Sequence, residues 1–498
     1  MLDDLIKERQ KKLEAIRGAG IDPYPARVER SFSIGHALEH FEKIAEETKP
    51  VSLAGRLRSV RDQGKIIFAD IEDETGKIQV VIKEDSLAGG DSKNDGALAN
   101  FDFIRSIIDL GDFVSVTGPL FTTKKGEKSV EVQKFVMAAK SILPLPDKWE
   151  GIENEDIKLR KRYLDLVTAS EVRDLFRKKT IFWETVRTTM KSEGFLEVEM
   201  PILENLPGGA EAEPFKTHHN ALDEDFYLRI SLELPLKKLL VGGFDSVFEI
   251  GRIFRNEGID REHLQDYTQM EFYWAYRDYH DAMALTEKMY KEVIKNVCGD
   301  MTTEYDSTAG GHTKIDWSKK WKHVDYVEAF KDANGIDPTD VTQEELFKKA
   351  KELKLEVEKN AGKGRLIDLI YKKTVRPHLV EPCFLINPPV EIEPLAKRHA
   401  TNPKVVERFQ IVAAGTELGK GFSELNDPED QRARFEEQMK LREAGDAEAQ
   451  HLDEDFLEAM SYGMPPAAGF GMSERFFAVL MNKPIRETVF FPLMRKKK

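Results

Sequence analysis

The chain has 498 residues, 41% hydrophobic and 33% charged, with 75 Lys+Arg against 89 Asp+Glu and two cysteines. This composition excludes a disordered or fibrous protein, no apolar run reaches the roughly 20 residues of a bilayer span, and the opening Met1-Leu2-Asp3-Asp4 carries the wrong charge for a secretory signal, so the cytoplasm is the expected location. The net charge of −14 disfavours indiscriminate nucleic-acid binding but leaves room for a local basic surface.

In chain order, Leu5, Ile6, Leu13 and Ile16 recur with helical spacing among Lys7, Arg9, Lys11 and Lys12 and stop at Gly18-Ala19-Gly20, which predicts a basic amphipathic helix. From 51 to 140 the pattern changes to short β-type runs at 66–71, 78–82, 113–116 and 129–132, separated by turn residues such as Glu74-Thr75-Gly76. A small closed or nearly closed β-barrel fits runs of this size, and the oligonucleotide-binding (OB) barrel is one such architecture. The glycine-rich segment 89–96 reads as a mobile loop. Pro144-Leu145-Pro146-Asp147 interrupts ladder and helix alike and places a domain boundary after residue 146. The cluster Lys158-Leu159-Arg160-Lys161-Arg162 reads either as a solvated helix face or as a contact for a polyanion running between domains. A long helix is predicted over 171–192, then a strand over 195–199 that ends at Pro201. Further helices are predicted at 280–297 and 342–353, with the polar stretch 300–364 inserted between two blocks. Cys298 and Cys383 form no Cys-x-x-Cys pair, so both read as buried thiols rather than as a disulfide framework or a zinc site.

The most informative block is Val247-Phe248-Glu249-Ile250-Gly251-Arg252-Ile253-Phe254-Arg255-Asn256-Glu257, followed by Tyr267-Thr268-Gln269-Met270-Glu271-Phe272-Tyr273. Two strands are implied, with Arg255 and Glu257 on the face of Ile253, and Glu271 and Tyr273 sharing a face. The residues alone leave two readings open: an exposed sheet face with ordinary cross-strand ion pairs, or a site. The order and spacing of this block resemble motif 2 of the class II aminoacyl-tRNA synthetases. Residues 194–201 resemble motif 1, and Gly469-Phe470-Gly471-Met472-Ser473-Glu474-Arg475 resembles motif 3. Together with Pro207-Gly208-Gly209-Ala210, Thr217-His218-His219-Asn220-Ala221-Leu222-Asp223 and Gly421-Phe422-Ser423-Glu424-Leu425-Asn426-Asp427, the chain resembles the class II lysyl-tRNA synthetase family from its first helix to Phe490-Phe491-Pro492.

The resemblance implies an α+β multidomain chain. Residues 1–146 are the N-terminal helix and an OB-fold anticodon-binding barrel, and residues 147–498 are a class II catalytic domain, an antiparallel sheet flanked by helices. It implies ATP-dependent activation of L-lysine and its transfer to the 3′ end of tRNA(Lys), with Mg2+ as the metal and a homodimer built on motif 1. By the same resemblance Arg255 bridges the α-phosphate and the lysine carboxylate, Arg475 covers the adenine and γ-phosphate, Glu257 accepts from the adenine amino group, His263 approaches the terminal phosphates and Tyr267 stacks beneath the base. Gly209 and Glu233 would hold the α-amino group, Glu271, Tyr273 and Glu424 the ε-ammonium, and Phe422 the aliphatic stem. Three carboxylates around one pocket suit a dicationic substrate and oppose an aspartyl or asparaginyl enzyme. In the barrel, Arg61, Phe68, Gln79 and Glu127 match positions that read the anticodon, although Phe68 taken alone reads as a core residue. Two other relatives share the pattern: a paralogue that modifies a protein, and a catalytically inactive RNA-binding protein.

Three positions depart from the family pattern. Gln410 stands where a magnesium-binding Glu is usual, with Glu417 retaining the second carboxylate. Lys420 stands where an Asn helps hold lysine, and is expected to face the phosphates or the lysine carboxylate. Motif 3 is one residue short before Arg475.

Overall fold

In the computed structural model, which describes residues 2–87, 96–146, 154–258, 260, 262–306, 312–357, 361–445 and 449–496, helix α1 (Leu2–Gly18) forms where the apolar spacing predicts it. The loop read as mobile lies, apart from Gly96, outside the described residues. The chain divides into two units, Met1–Glu153 and Asn154–Lys498. Among the described residues no helix is long and apolar enough to cross a membrane.

The first unit is built on an eight-stranded sheet whose barrel is formed by five strands: β1 (Val51–Asp62), β2 (Ile66–Glu72), β3 (Lys77–Lys83), β4 (Phe113–Gly118) and β5 (Lys128–Val132). β1 pairs antiparallel with β2 and β4, β2 pairs antiparallel with β3, and β3 runs parallel to β5. The ring closes because the N–H groups of Glu131 and Gln133 donate to the carbonyls of Pro119 and Thr117 at 3.0 and 2.8 Å. This is the OB-type barrel expected. Alternate residues such as Ile67, Ala69, Ile71, Val80, Val114 and Val130 fill its core, as the two-residue period of a strand requires. Two of the basic residues of α1 are engaged within this unit: Arg9 is buried and donates to the carbonyls of Leu110 (3.0 Å) and Leu143 (3.1 Å), and Lys12 pairs with Asp109 at 2.8 Å.

The second unit is built on an eight-stranded sheet. Helix α2 (Ser170–Ser192) places Phe182, Val186 and Met190 on one stripe against it, the spacing of a single helix face. The strand expected at 195–199 pairs only over β6 (Leu196–Glu197), which runs parallel to β7 (Ser246–Phe254). Helix α3 (Glu233–Val241) lies between them in sequence, and β8 (Asp266–Ala275) pairs back on β7. Helix α4 (Tyr279–Cys298) opens on a capping box of Asp278 and Asp281 and stops at Gly299. Beyond β9 (Lys322–Asp325) and helix α5 (Lys363–Thr374) come β10 (Cys383–Ile386), β11 (Arg408–Ala413), β12 (Thr416–Ser423) and β13 (Ala467–Ser473). The sheet order is β9-β10-β11-β12-β13-β8-β7-β6, antiparallel through its six central strands and parallel at both edges.

The stretch 300–364, expected as an insertion, is tied into this unit. It supplies edge strand β9, and Trp317 and Trp321 are buried in the main core beside Phe384 and Tyr290. The basic cluster at 158–162 divides: Arg160 pairs with Asp156 along a helix face, whereas Arg162 is buried and donates to Asp165 (2.7 Å) and to the Glu487 carbonyl (3.2 Å). Both cysteines are free thiols, Cys298 half-buried and Cys383 buried, and burial pushes the Cys383 thiol up to about 12.

Barrel closure generates a test. A Cβ at Gly118 would overlap the Glu131 carbonyl oxygen, whereas one at Gly18, the last residue of α1, meets nothing. Gly118→Ala should therefore cost about 1–3 kcal/mol, the usual range for overpacking, seen as a lower urea midpoint for the barrel's transition, with Gly18→Ala unchanged. Equal midpoints for the two variants would mean that the closing contact does not constrain the barrel.

Candidate active site

Directly paired residues of neighbouring strands project to the same face, so register assembles the site. β7 and β8 pair with Gly251 opposite Gln269 and Ile253 opposite Tyr267, while β8 and β13 pair with Glu271 opposite Gly471 and Tyr273 opposite Gly469. Tyr267, Gln269, Glu271 and Tyr273 thus stand in one row, with glycines beside them where bulk would fill the space. A cavity of about 480 Å³ opens over this face. Gly209, Glu233, Glu271, Tyr273, Lys420 and Phe422 line one part of it, and Arg255, His263, Tyr267, Gln410, Glu417 and Arg475 another. Two expected residues do not line it. Glu424 lies beneath its floor, 1% exposed, and Glu257 is half-buried in the loop after β7, where its carbonyl accepts from Gln265 at 3.3 Å.

At the carboxylate-rich end, the structure separates roles that the sequence had pooled. Glu271 is saturated: Oε1 accepts from Ser231 Oγ (2.9 Å), from the Leu232 N–H (3.1 Å) and from Gln269, and Oε2 accepts from the Tyr273 hydroxyl at 2.8 Å. Its geometry is that of a group orienting Tyr273. Glu233 and Glu424 instead share a cation absent from the sequence argument, the fully buried Lys237, whose Nζ is 2.5 Å from Glu233 Oε1 and also pairs with Glu424 Oε2. Lys237 stacks its ammonium over Phe422 at 5.4 Å and Tyr273 at 5.9 Å. Burial raises the pKa of Glu233 and Glu424, and Lys237 opposes that rise. For Lys237 burial alone would lower the pKa, but the two carboxylates outweigh it and the net shift is upward. Among the described residues Glu424 Oε1 has no hydrogen-bond partner, and a Cβ at Gly469 would collide with it, so the glycine keeps that oxygen's space open. Lys237 had a sequence signal, its i,i+4 spacing from Glu233 on one helix.

At the other end the groups are cationic. Arg255 Nε donates to the Ile230 carbonyl at 3.2 Å and its guanidinium lies 5.8 Å from the Tyr267 ring. Arg475, which opens the short helix Arg475–Leu480 after β13, donates through Nε to the Glu262 carbonyl at 3.2 Å. His263 follows Glu262 and is held by Asp260 Oδ2 at 2.7 Å. Gln410 Nε2 donates to Glu417 Oε2 at 2.7 Å, so an amide N–H engages the one carboxylate of the pair. Lys420 does not reach toward these groups. It pairs at 2.9 Å with the buried Glu393, which Arg408 approaches at 3.3 Å. Burial would raise the Glu393 pKa, but Lys420 and Arg408 outweigh it and hold it low.

In the barrel, Phe68 is half-buried and stands outside the core that Ile67, Ala69 and Ile71 fill, which decides between its two readings in favour of an outward ring. Arg61 pairs directly with it across β1 and β2, and Gln79 stands opposite Asp70 on the next strand, accepting from Ser129 at 3.1 Å. Glu127 is exposed at the start of β5, and its carbonyl accepts from Ser129 at 3.2 Å. Arg61, Phe68 and Gln79 therefore lie on neighbouring strands of one barrel surface, with Glu127 just before the next strand.

Comparison with known proteins agrees with this architecture over the full length. The model of the class II tRNA synthetases (D, K and N) matches residues 154–495, and that of the OB-fold nucleic acid binding domain matches residues 51–138. The lysine–tRNA ligase of Thermoanaerobacter pseudethanolicus is 43% identical over 100% of this chain and 97% of its own. That of Moorella thermoacetica is 43% identical over 99% and 98%, and that of Halalkalibacterium halodurans 41% identical over 100% and 98%. With its sheet, its motif residues and its barrel arranged in this order, the chain belongs to the class II tRNA synthetases, among the lysine–tRNA ligases.

Proposed function

We propose that the chain activates L-lysine with ATP to lysyl-adenylate and transfers the lysyl group to the 3′ end of tRNA(Lys), releasing AMP and diphosphate. The observation that carries this reading is the polarity of the cavity: Glu233 and Tyr273 at one end, with Glu424 buried beneath them, and Arg255 and Arg475 at the other. Lysine fits with its ammonium groups toward the carboxylates and its carboxylate toward Arg255. The carboxylate oxygen attacks the α-phosphorus as the bond to the diphosphate breaks. No general base is required, because the nucleophile is already an anion, and Arg255 is placed to balance the charge that grows at phosphorus. In the second step a hydroxyl of the terminal ribose attacks the adenylate carbonyl, AMP leaves, and the hydroxyl proton is released. Magnesium enters this reading as the nucleotide's own counter-ion, since Gln410 and Glu417 do not form a pair of carboxylates.

Three further elements complete the reading. The outward ring of Phe68 and its neighbours Arg61, Gln79 and Glu127 form the anticodon surface of residues 1–146. Two copies associate through the motif 1 region, where Leu196, Ile202, Leu203 and Phe244 are exposed beside the edge strand β6. The site of action is the cytoplasm.

Exchange of ATP with labelled pyrophosphate should depend on lysine and not on aspartate or asparagine; equal stimulation by aspartate would defeat the assignment. Glu424→Gln removes one partner of a buried charge pair, so it should weaken lysine binding by about 2–5 kcal/mol, read as a raised KM for lysine in the same assay. Phe68→Ala should weaken tRNA charging while sparing exchange, because stacking a base on an aromatic ring contributes about 1–3 kcal/mol and exchange needs no tRNA. Equal losses in both reactions would make Phe68 structural. Light scattering should give a mass near twice 56.9 kDa, and a concentration-independent monomer with full activity would rule out the dimer.

A further inference from the structure

The phosphate end of the cavity lacks the pair of magnesium-binding carboxylates that the family resemblance implies. Glu417 is the one carboxylate of that pair, and it already accepts from the Gln410 amide at 2.7 Å. Among the described residues no three His, Cys, Asp or Glu side chains come together in a way that could hold a metal ion. Lys420, expected to restore the missing charge, is committed to Glu393. A protein-held magnesium ion therefore does not fit this donor set.

A different cation does stand there. Arg376 opens the 3-10 turn Arg376–His378 after α5 and lines the same cavity as Gln410, Glu417 and Arg475. The chain around this turn is fixed to the β11–β12 hairpin: the N–H groups of Ala414 and Gly415 donate to the carbonyls of Val380 (2.8 Å) and Leu379 (3.0 Å), and a Cβ at Gly415 would stand 3.3 Å from the Pro377 Cα. The hairpin that carries Gln410 and Glu417 thus also sets the position of Arg376. Its guanidinium is weakly held. Nη2 lies 3.9 Å from Glu262 Oε2, beyond hydrogen-bond distance, and among the described residues its buried Nε has no hydrogen-bond partner. Arg475 donates to the carbonyl of that same Glu262, so two guanidinium groups converge on one loop beside His263. An N–H buried without an acceptor is costly, and a phosphate oxygen would relieve it, in a geometry for which the planar fork of arginine is suited.

We infer that Arg376 is a further phosphate-binding residue, which with Arg475 takes the terminal phosphates of ATP, and the diphosphate product, by direct ionic hydrogen bonds in place of a magnesium ion held by protein carboxylates. The inference rests on the reading of this cavity as the ATP and lysine site. Its consequence is nucleotide affinity that survives removal of magnesium.

Calorimetric titration of the full chain with ATP, pyrophosphate and AMP, each in excess chelator and again with magnesium, tests this. Wild type should bind ATP in chelator. Arg376→Ala should lose about tenfold or more of that affinity, and of pyrophosphate affinity, while AMP binding is unchanged because AMP lacks the phosphates in question, and Arg376→Lys should recover part of the loss. Gln410→Glu adds a carboxylate without touching Arg376. It should weaken ATP binding in chelator and steepen its dependence on magnesium. Wild type binding ATP only with magnesium, an unchanged Arg376→Ala, equal loss of AMP and ATP affinity in that variant, or an unchanged Gln410→Glu would each overturn the inference. Lysine-dependent exchange in magnesium tests the underlying reading separately. A chain that exchanges but binds ATP only with magnesium sinks this inference alone, and one that binds ATP in chelator but never exchanges sinks the other alone.

Discussion

The buried ammonium of Lys237 between Glu233 and Glu424 is the interaction on which the rest of the cavity depends. An isolated carboxylate at that depth would take up a proton rather than bear the cost of desolvation, and a protonated Glu424 could not attract a cation. Lys237 opposes that protonation before any substrate arrives, while Phe422, Tyr273 and Phe456 surround its ammonium and keep water away. The pair also fixes α3. Because Glu233 and Lys237 are one helical turn apart and Glu424 directly follows β12, the ion contacts tie the helix to the sheet at the point where Leu232 donates to Glu271.

The sheet then acts as a ruler. Its register sets Tyr267, Gln269, Glu271 and Tyr273 at intervals of two residues, and β13 places glycine opposite Glu271 and Tyr273. Small residues on one strand leave room for large polar ones on the next, which is how an antiparallel sheet can carry a cavity on its face without losing its ladder. The opposite face keeps the apolar core, where Phe272, Phe470 and Phe409 pack in series under α2 and α4.

Charge is segregated along the cavity rather than averaged over it. Carboxylates balanced by a single lysine occupy one end, and guanidinium groups from three separate segments occupy the other. The Glu393, Lys420 and Arg408 cluster lines the same cavity, and Glu393 adds its negative charge to the field that raises the Glu233 and Glu424 pKa values. Its two cationic partners satisfy that buried acid within the cluster. Orientation of a molecule carrying ammonium groups at one side and phosphates at the other follows from that separation.

The sequence by itself determined the elements whose physics is local. Alternation marked the barrel strands, the three-to-four residue spacing marked α1, α2 and α4, and the order of the motif blocks carried the family resemblance and most of the cavity's residues. It could not decide Phe68, because a phenylalanine suits a core or an open stacking surface. Only the register that sends Ile67, Ala69 and Ile71 inward turned that ring out. Nor could it find the charge partners. Lys237 shows in the sequence only its i,i+4 spacing from Glu233, and its second partner, Glu424, lies far along the chain. Lys420 is expected from the sequence to face the phosphates or the lysine carboxylate, whereas the fold pairs it with Glu393, and Arg376 carries no motif at all. Helix and strand periodicity are written in neighbouring residues, whereas the neutralisation of a buried charge depends on which distant side chain the fold delivers within a few ångströms, and that distance is set by tertiary packing alone.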